Sequence, residues 1–243
     1  MGDLPEYTVR ESARAKRVRL KMTVEEGLVV VIPKDFARSD VSELLREKAS
    51  WIKHAGARVE VRRRAIEETS SRPDRICFRA VERDWEIEWH PTPSDRAVLR
   101  EVGRNHLIVR GGVENPEVWR PALRRWVLGQ GRKHLTAWLE ELAVRRGIEV
   151  KRTSIRCQRT RWGSYSATGT VSLNAQLLFL PPDLARYVLQ HELCHVQYPD
   201  HSPAFWARLT DVEPETRRWR AELRDGWRFV PGWLSHASTA APD

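Results

Sequence analysis
The sequence predicts an α+β protein: a strand-rich N-terminal part followed by a helical part that carries a small sheet. Three observations lead there. Apolar residues alternate with polar ones through much of residues 1–115, as in half-buried strands. From Pro116 onward they recur at helical spacing instead. Gly111-Gly112 punctuates the change, and no internal repeat or low-complexity segment competes with this reading. The expected organisation is a β-rich region with one long helix over 1–115, a helical region over 116–236, and a flexible tail over 237–243.

In chain order, residues 17–24 alternate and are separated by Gly27 from the apolar run 28–32, which predicts a hairpin ending at Pro33. Ser39 or Asp40 can cap a helix whose stripe is Val41, Leu44, Leu45, Ala49 and Ile52. It is expected to continue through a charged stretch and to break at Ser70-Ser71-Arg72-Pro73. Strands are expected at 76–78, 85–89, 97–102 and 106–109. Trp119, Leu123, Trp126, Leu135, Leu139 and Leu142 then define a long helix, or two interrupted at Gly129 and Gly131, ending at Gly147. Short strands at 148–150 and 170–174 flank a basic stretch. Pro181-Pro182-Asp183 starts the next helix, with Asp183 as its N-cap.

Composition narrows the class. Of 243 residues, 41% are hydrophobic and 31% charged, as in ordinary globular proteins. No apolar run approaches the roughly 18 residues that would span a bilayer, so no membrane partner is expected. The first six residues lack the basic and apolar regions of a secretory signal, and Glu6 breaks the myristoylation pattern begun by Gly2. Three scattered cysteines make no disulfide framework, and a cytoplasmic location is expected. The net charge of +9 is spread along the chain. It fits either an anionic partner such as nucleic acid or nucleotide, or simply solvated arginine-rich faces.

The chemistry concentrates at His191-Glu192-Leu193-Cys194-His195, an H-E-x-x-H motif. Residues four apart stand one helical turn above each other, so both imidazoles can reach one ion. Measured from Leu184 at about 100° per residue, His191 falls near ~340° and His195 near ~20°, on the apolar face. Glu192, at about 80°, lies toward one edge of that face, and Cys194, at about 280°, points away as a packing residue. Zinc in a hydrolase keeps three protein ligands and one open position. The third is assigned to His201, behind the turn Pro199-Asp200 and ahead of Ser202-Pro203, which resembles the start of another helix. His134, His106, His90, His54 and His236 lack such a context. One Zn²⁺ is expected, although three imidazoles also accept other divalent transition metals. The ion would lower the pKa of a water and Glu192 would take its proton.

Taken together, the run Arg161-Trp162-Gly163-Ser164, then Val171-Ser-Leu-Asn174, the H-E-x-x-H helix, and His201-Ser202 with Phe205-Trp206 resembles the YgjP-like family of metal-dependent hydrolases. That resemblance implies a zincin-like core related to SprT-like proteases, metal ligation by His191, His195 and His201, and catalysis by Glu192. It also implies a peptide or protein substrate, with a DNA-associated one within its range. Tyr165 departs from the small residue or cysteine expected after Trp-Gly-Ser.

Around this centre, five cations between residues 151 and 161 with no acid offer an anion site or a charged edge strand. Arg161, Tyr165 and Tyr198 are candidates for the oxyanion. Trp162 reads as core or as a substrate contact, and Gly163 as a point of close backbone approach. By analogy with zincins, the strand 170–174, ending at Asn174, is the candidate platform for an extended peptide. The leading function is a zinc metallopeptidase. A nucleoside triphosphate phosphohydrolase using the same site, and a nucleic-acid-binding protein with a structural metal, are the alternatives.

Overall fold
A computed structural model describes residues 5–235. The tail expected over 237–243 lies outside them, as does His236. The fold is α+β, built on three small mixed sheets, and falls into two compact units that divide between Glu68 and Thr69.

In the first unit, β1 (Tyr7–Glu11), β2 (Arg19–Thr23) and β3 (Gly27–Ile32) form a sheet in the order β1-β3-β2. The expected hairpin is present: β2 and β3 are antiparallel, and Gly27 takes φ +66° opposite Thr23. β1, parallel to β3, has no counterpart in the sequence reading, because four of its five residues are exposed and leave no alternation to read. The predicted single helix is two, α1 (Val41–Glu47) and α2 (Ala49–Glu68), parted where Lys48 leaves helical geometry. The apolar stripe runs on through both as Val41, Leu45, Ile52 and Ala55, so periodicity does not register the break. Asp40 occupies the N-cap position of α1, but its carboxylate accepts from the Ser39 hydroxyl instead of capping. Leu28, Val30, Ile32 and Leu45 centre this unit's core.

The second unit begins with β4 (Arg75–Phe78), β5 (Arg83–Pro91), β6 (Ala97–Val102) and β7 (His106–Gly111), in the order β4-β5-β7-β6. α3 (Pro116–Arg145) follows, capped by the Asn115 side chain, which accepts from the Glu117 N–H at 3.0 Å. Neither Gly129 nor Gly131 interrupts it. A Cβ on Gly131 would lie 2.9 Å from Ile155 Cγ2 and 3.1 Å from Ala175 Cβ, so this glycine permits close packing and does not mark a break.

The sheet beside the site contains β8 (Arg152–Arg156), β9 (Gly163–Tyr165) and β10 (Thr170–Asn174), in the order β8-β10-β9. The strand expected at 148–150 is displaced to β8, inside the basic stretch, where the parallel ladder to β10 starts at Arg152. Because β10 is central and paired on both sides, it cannot receive a peptide along its edge; the edge strands are β8 and β9.

α4 (Pro182–Gln197) starts with Pro181 at the N-cap position and Pro182 inside it. Asp183 therefore sits in the first turn, not at the cap, and pairs with Arg186 at 2.9 Å. α5 (Pro203–Val212) is capped by Ser202 as expected, and α6 (Thr216–Glu222) and α7 (Gly232–Ser235) complete the unit. Arg186 also reaches across to Glu213, just past α5, with Nε–Oε1 at 2.7 Å and Nη2–Oε2 at 3.2 Å. The Glu213 side chain is only 3% exposed, so removing its partner would strand a buried carboxylate. Arg186→Ala is expected to lower stability by about 3 kcal/mol, measured by urea unfolding. A change near zero would mean that another group solvates Glu213.

Candidate metal centre
Helical spacing on α4 puts His191 and His195 one turn apart, with their Nε2 atoms 3.2 Å from each other. After α4 ends, the Asp200 carboxylate accepts from the Ser202 N–H at 3.3 Å, and Ser202 in turn caps α5. That turn delivers His201, whose Nε2 lies 3.1 Å from that of His191. The potential ligand atoms of all three histidines fall within 4.8 Å of one another. His201 also stacks on Trp206, with ring centroids 5.5 Å apart, while Phe205 packs against His195 at 4.5 Å.

The protonation pattern suits a metal. His195 Nδ1 is 3.0 Å from the Tyr198 carbonyl, which can only accept, so Nδ1 is the donor there and Nε2 is the nitrogen turned toward His191. Burial, reinforced by the neighbouring His195 and His201, pushes His191 down to about 3. His201 is lowered as well, mainly by burial. Three imidazoles with converging nitrogens are a donor set for a divalent transition ion.

Glu192 lies beside this set on the next residue of α4 and is buried. Desolvation pushes its carboxyl up to about 8, against a smaller opposing pull from the Arg161 charge. Its Oε2 is buried without a hydrogen-bond partner. The space it occupies exists because β9 begins with glycine. A Cβ on Gly163 would stand 2.5 Å from Glu192 Oε1 and 2.7 Å from its Cγ. The close approach expected at Gly163 is thus an approach to Glu192. A cleft of about 550 Å³ opens over the site, with Trp162, Gly163, His191, Glu192, His201 and Arg220 in its wall.

The other expected contacts are distributed unevenly. Trp162 lines the cleft and stacks on Trp227 at 4.0 Å. Arg161 is exposed, and its charge reaches Glu192. Tyr165 is at the far end of β9, packed against the core, and is not part of the cleft wall. Tyr198 engages the site through its carbonyl. Asn174 is fully buried and donates to the Gln158 and Arg161 carbonyls while accepting from Gln176 N–H, so it fixes the loop before β9. Cys194 faces Arg146, whose Nη2 is 3.4 Å from its sulfur, away from the histidines. Tyr187 and Arg220 also line the cleft; Tyr187 shares the histidine face of its helix, whereas nothing in the local sequence marks Arg220.

A family model described as YgjP-like, metallopeptidase domain, matches residues 16–226. Among solved structures, the metallopeptidase zymogen abylysin of Pyrococcus abyssi is 26% identical, covering 35% of this chain and 87% of its own, with a TM-score of 0.32. No curated protein matches the chain.

Proposed function
The chain belongs to the YgjP-like metallopeptidase-domain family, and from that premise we propose that it is a zinc-dependent peptidase with Glu192 as general base. The observation that carries this reading is the convergence of the His191, His195 and His201 nitrogens beside a buried carboxylate at the wall of a cleft. Bound by those three histidines, zinc would polarise the scissile carbonyl and acidify a water. Glu192 takes the proton from the attacking water and returns it to the departing amine. The Tyr198 carbonyl holds the His195 ring in the orientation that ligation needs. β9, whose Gly163 packs its face against Glu192, is an edge strand, and its outer edge gives an extended peptide backbone a ladder to join. Peptide or protein is therefore the substrate class, and residues 116–236 form the catalytic region. The three unpaired cysteines suit a reducing compartment, the cytoplasm, and among the described residues no helix is long and apolar enough to cross a membrane.

The test is cleavage of a denatured protein or peptide library by zinc-loaded protein. Activity should disappear on chelation and return with zinc; chelator-resistant cleavage would remove metal from the mechanism. His201→Ala should weaken zinc binding by more than about 100-fold, since even a lost outer partner of a ligand costs 10–100-fold. Competition against a chromophoric chelator reads that number, and unchanged affinity would exclude His201 as a ligand.

A further inference from the structure
We propose that Arg220 determines specificity by taking a substrate carboxylate, either a free C-terminus or an acidic side chain. The inference rests on the peptidase reading above. Arg220, on α6, is in the cleft wall with His191 and His201, and its positive charge bears on both rings and on Tyr187. Its guanidinium lies over the Trp206 indole, with Cζ 4.4 Å from the ring centroid, and Trp206 stacks in turn on His201. The aromatic face thereby holds the planar fork in place and leaves its N–H edges available.

No carboxylate of the described residues pairs with Arg220. The contrast with its helix neighbour is direct: Arg218 is held by Glu215 at 2.7 Å and by Glu222 at 3.0 Å. Glu192, the carboxylate in the same cleft wall, is occupied with proton transfer in the proposed reaction. Beside Arg220 the wall is apolar, formed by Tyr187, Val188 and Leu223. An uncommitted guanidinium next to an apolar wall matches a residue that presents both a hydrophobic side chain and a carboxylate.

Three otherwise identical peptides separate the two sources of carboxylate: one with a free C-terminus, one amidated, and one amidated with glutamate in place of glutamine after the scissile bond. For the zinc enzyme, at least one of the two carboxylate peptides should show a KM lower by about tenfold or more than the neutral amide. Whichever does so names the source. Arg220→Gln should erase that preference through KM, and Arg220→Lys should keep part of it. Equal KM for all three peptides in the unaltered protein would overturn the proposal. So would Arg220→Gln lowering kcat alike on all three, which is the signature of oxyanion stabilisation.

A binding measurement keeps this result separate from peptidase activity. Tryptophan fluorescence of zinc-loaded Glu192→Gln protein should report at least one of N-acetylphenylalanine (terminal carboxylate) and N-acetylglutamate α-amide (side-chain carboxylate) binding about tenfold tighter than its uncharged amide counterpart, with the difference lost in the Arg220→Gln double variant. If that holds while no peptide is cleaved, the carboxylate site stands and the peptidase reading falls. If peptides are cleaved and neither acid binds better than its amide, or the preferred one binds equally well without Arg220, the carboxylate site falls alone.

Discussion
Glu192→Gln is expected to lower kcat by about 10²–10⁴-fold, the range attributable to a positioned general base, while zinc stays bound. The substitution keeps the side chain's shape and removes its ability to accept a proton, so metal content and KM should change little. Metal-free protein offers a second signature. Burial pushes Glu192 up to about 8 from an ordinary 4.5, so between those values the folded state holds a proton that the unfolded chain has released. That contribution to stability is fully present below 4.5 and is lost as pH rises through 8. His191, pushed down to about 3, acts in the opposite sense: its contribution is lost as pH falls from 6.5 toward 3. Above pH 6.5 the Glu192 effect stands clear of it. Urea titrations of the metal-free proteins should show stability declining from pH 6.5 to 8 with Glu192 and a flatter profile with glutamine. Zinc should flatten the Glu192 profile too, because a neighbouring cation favours the carboxylate. A glutamine variant retaining a tenth of the activity would exclude Glu192 as the base.

The sequence shows the parts of this centre that depend on local geometry. His191, His195 and Glu192 follow from the 3.6-residue period of a single helix, and His201 from a turn and an N-cap only six residues on. Strands β2 to β7 are legible because alternation and glycine turns are also local. What escapes local reading is set by distant partners. β8 begins at Arg152 because β10 pairs with it there, and β10 is central for the same reason, which leaves β8 and β9 as the edge strands. Asn174 resembles a substrate contact in its motif, yet the Gln158 and Arg161 carbonyls consume its donors. Arg220 carries no motif, since its place in the cleft comes from how α6 packs beside α4. Gly131 looks like a helix breaker until Ile155 and Ala175 are seen against it.

Gly163→Ala is expected to reduce kcat by about 100-fold, the cost of displacing a catalytic group by roughly 1 Å, because the added methyl would press on Glu192. Its Cβ would lie 2.5 Å from Glu192 Oε1, 2.7 Å from Cγ and 2.8 Å from Cδ. All three atoms belong to one side chain, so either Glu192 rotates away or β9 withdraws from α4. Either response moves the base relative to the three histidines. Ligation itself depends on α4, the turn and α5, so zinc affinity should remain near that of the unaltered protein. Trp162, adjacent to this glycine, is braced on Trp227 at 4.0 Å, which limits how far β9 can yield. If Gly163 acts through Glu192, the two substitutions are not independent: adding Gly163→Ala to Glu192→Gln should lower kcat no further than Glu192→Gln alone. Multiplicative losses in the double variant would assign Gly163 a separate role, such as carrying substrate along β9. Near-normal activity in the single variant would show that the strand can move without disturbing the base.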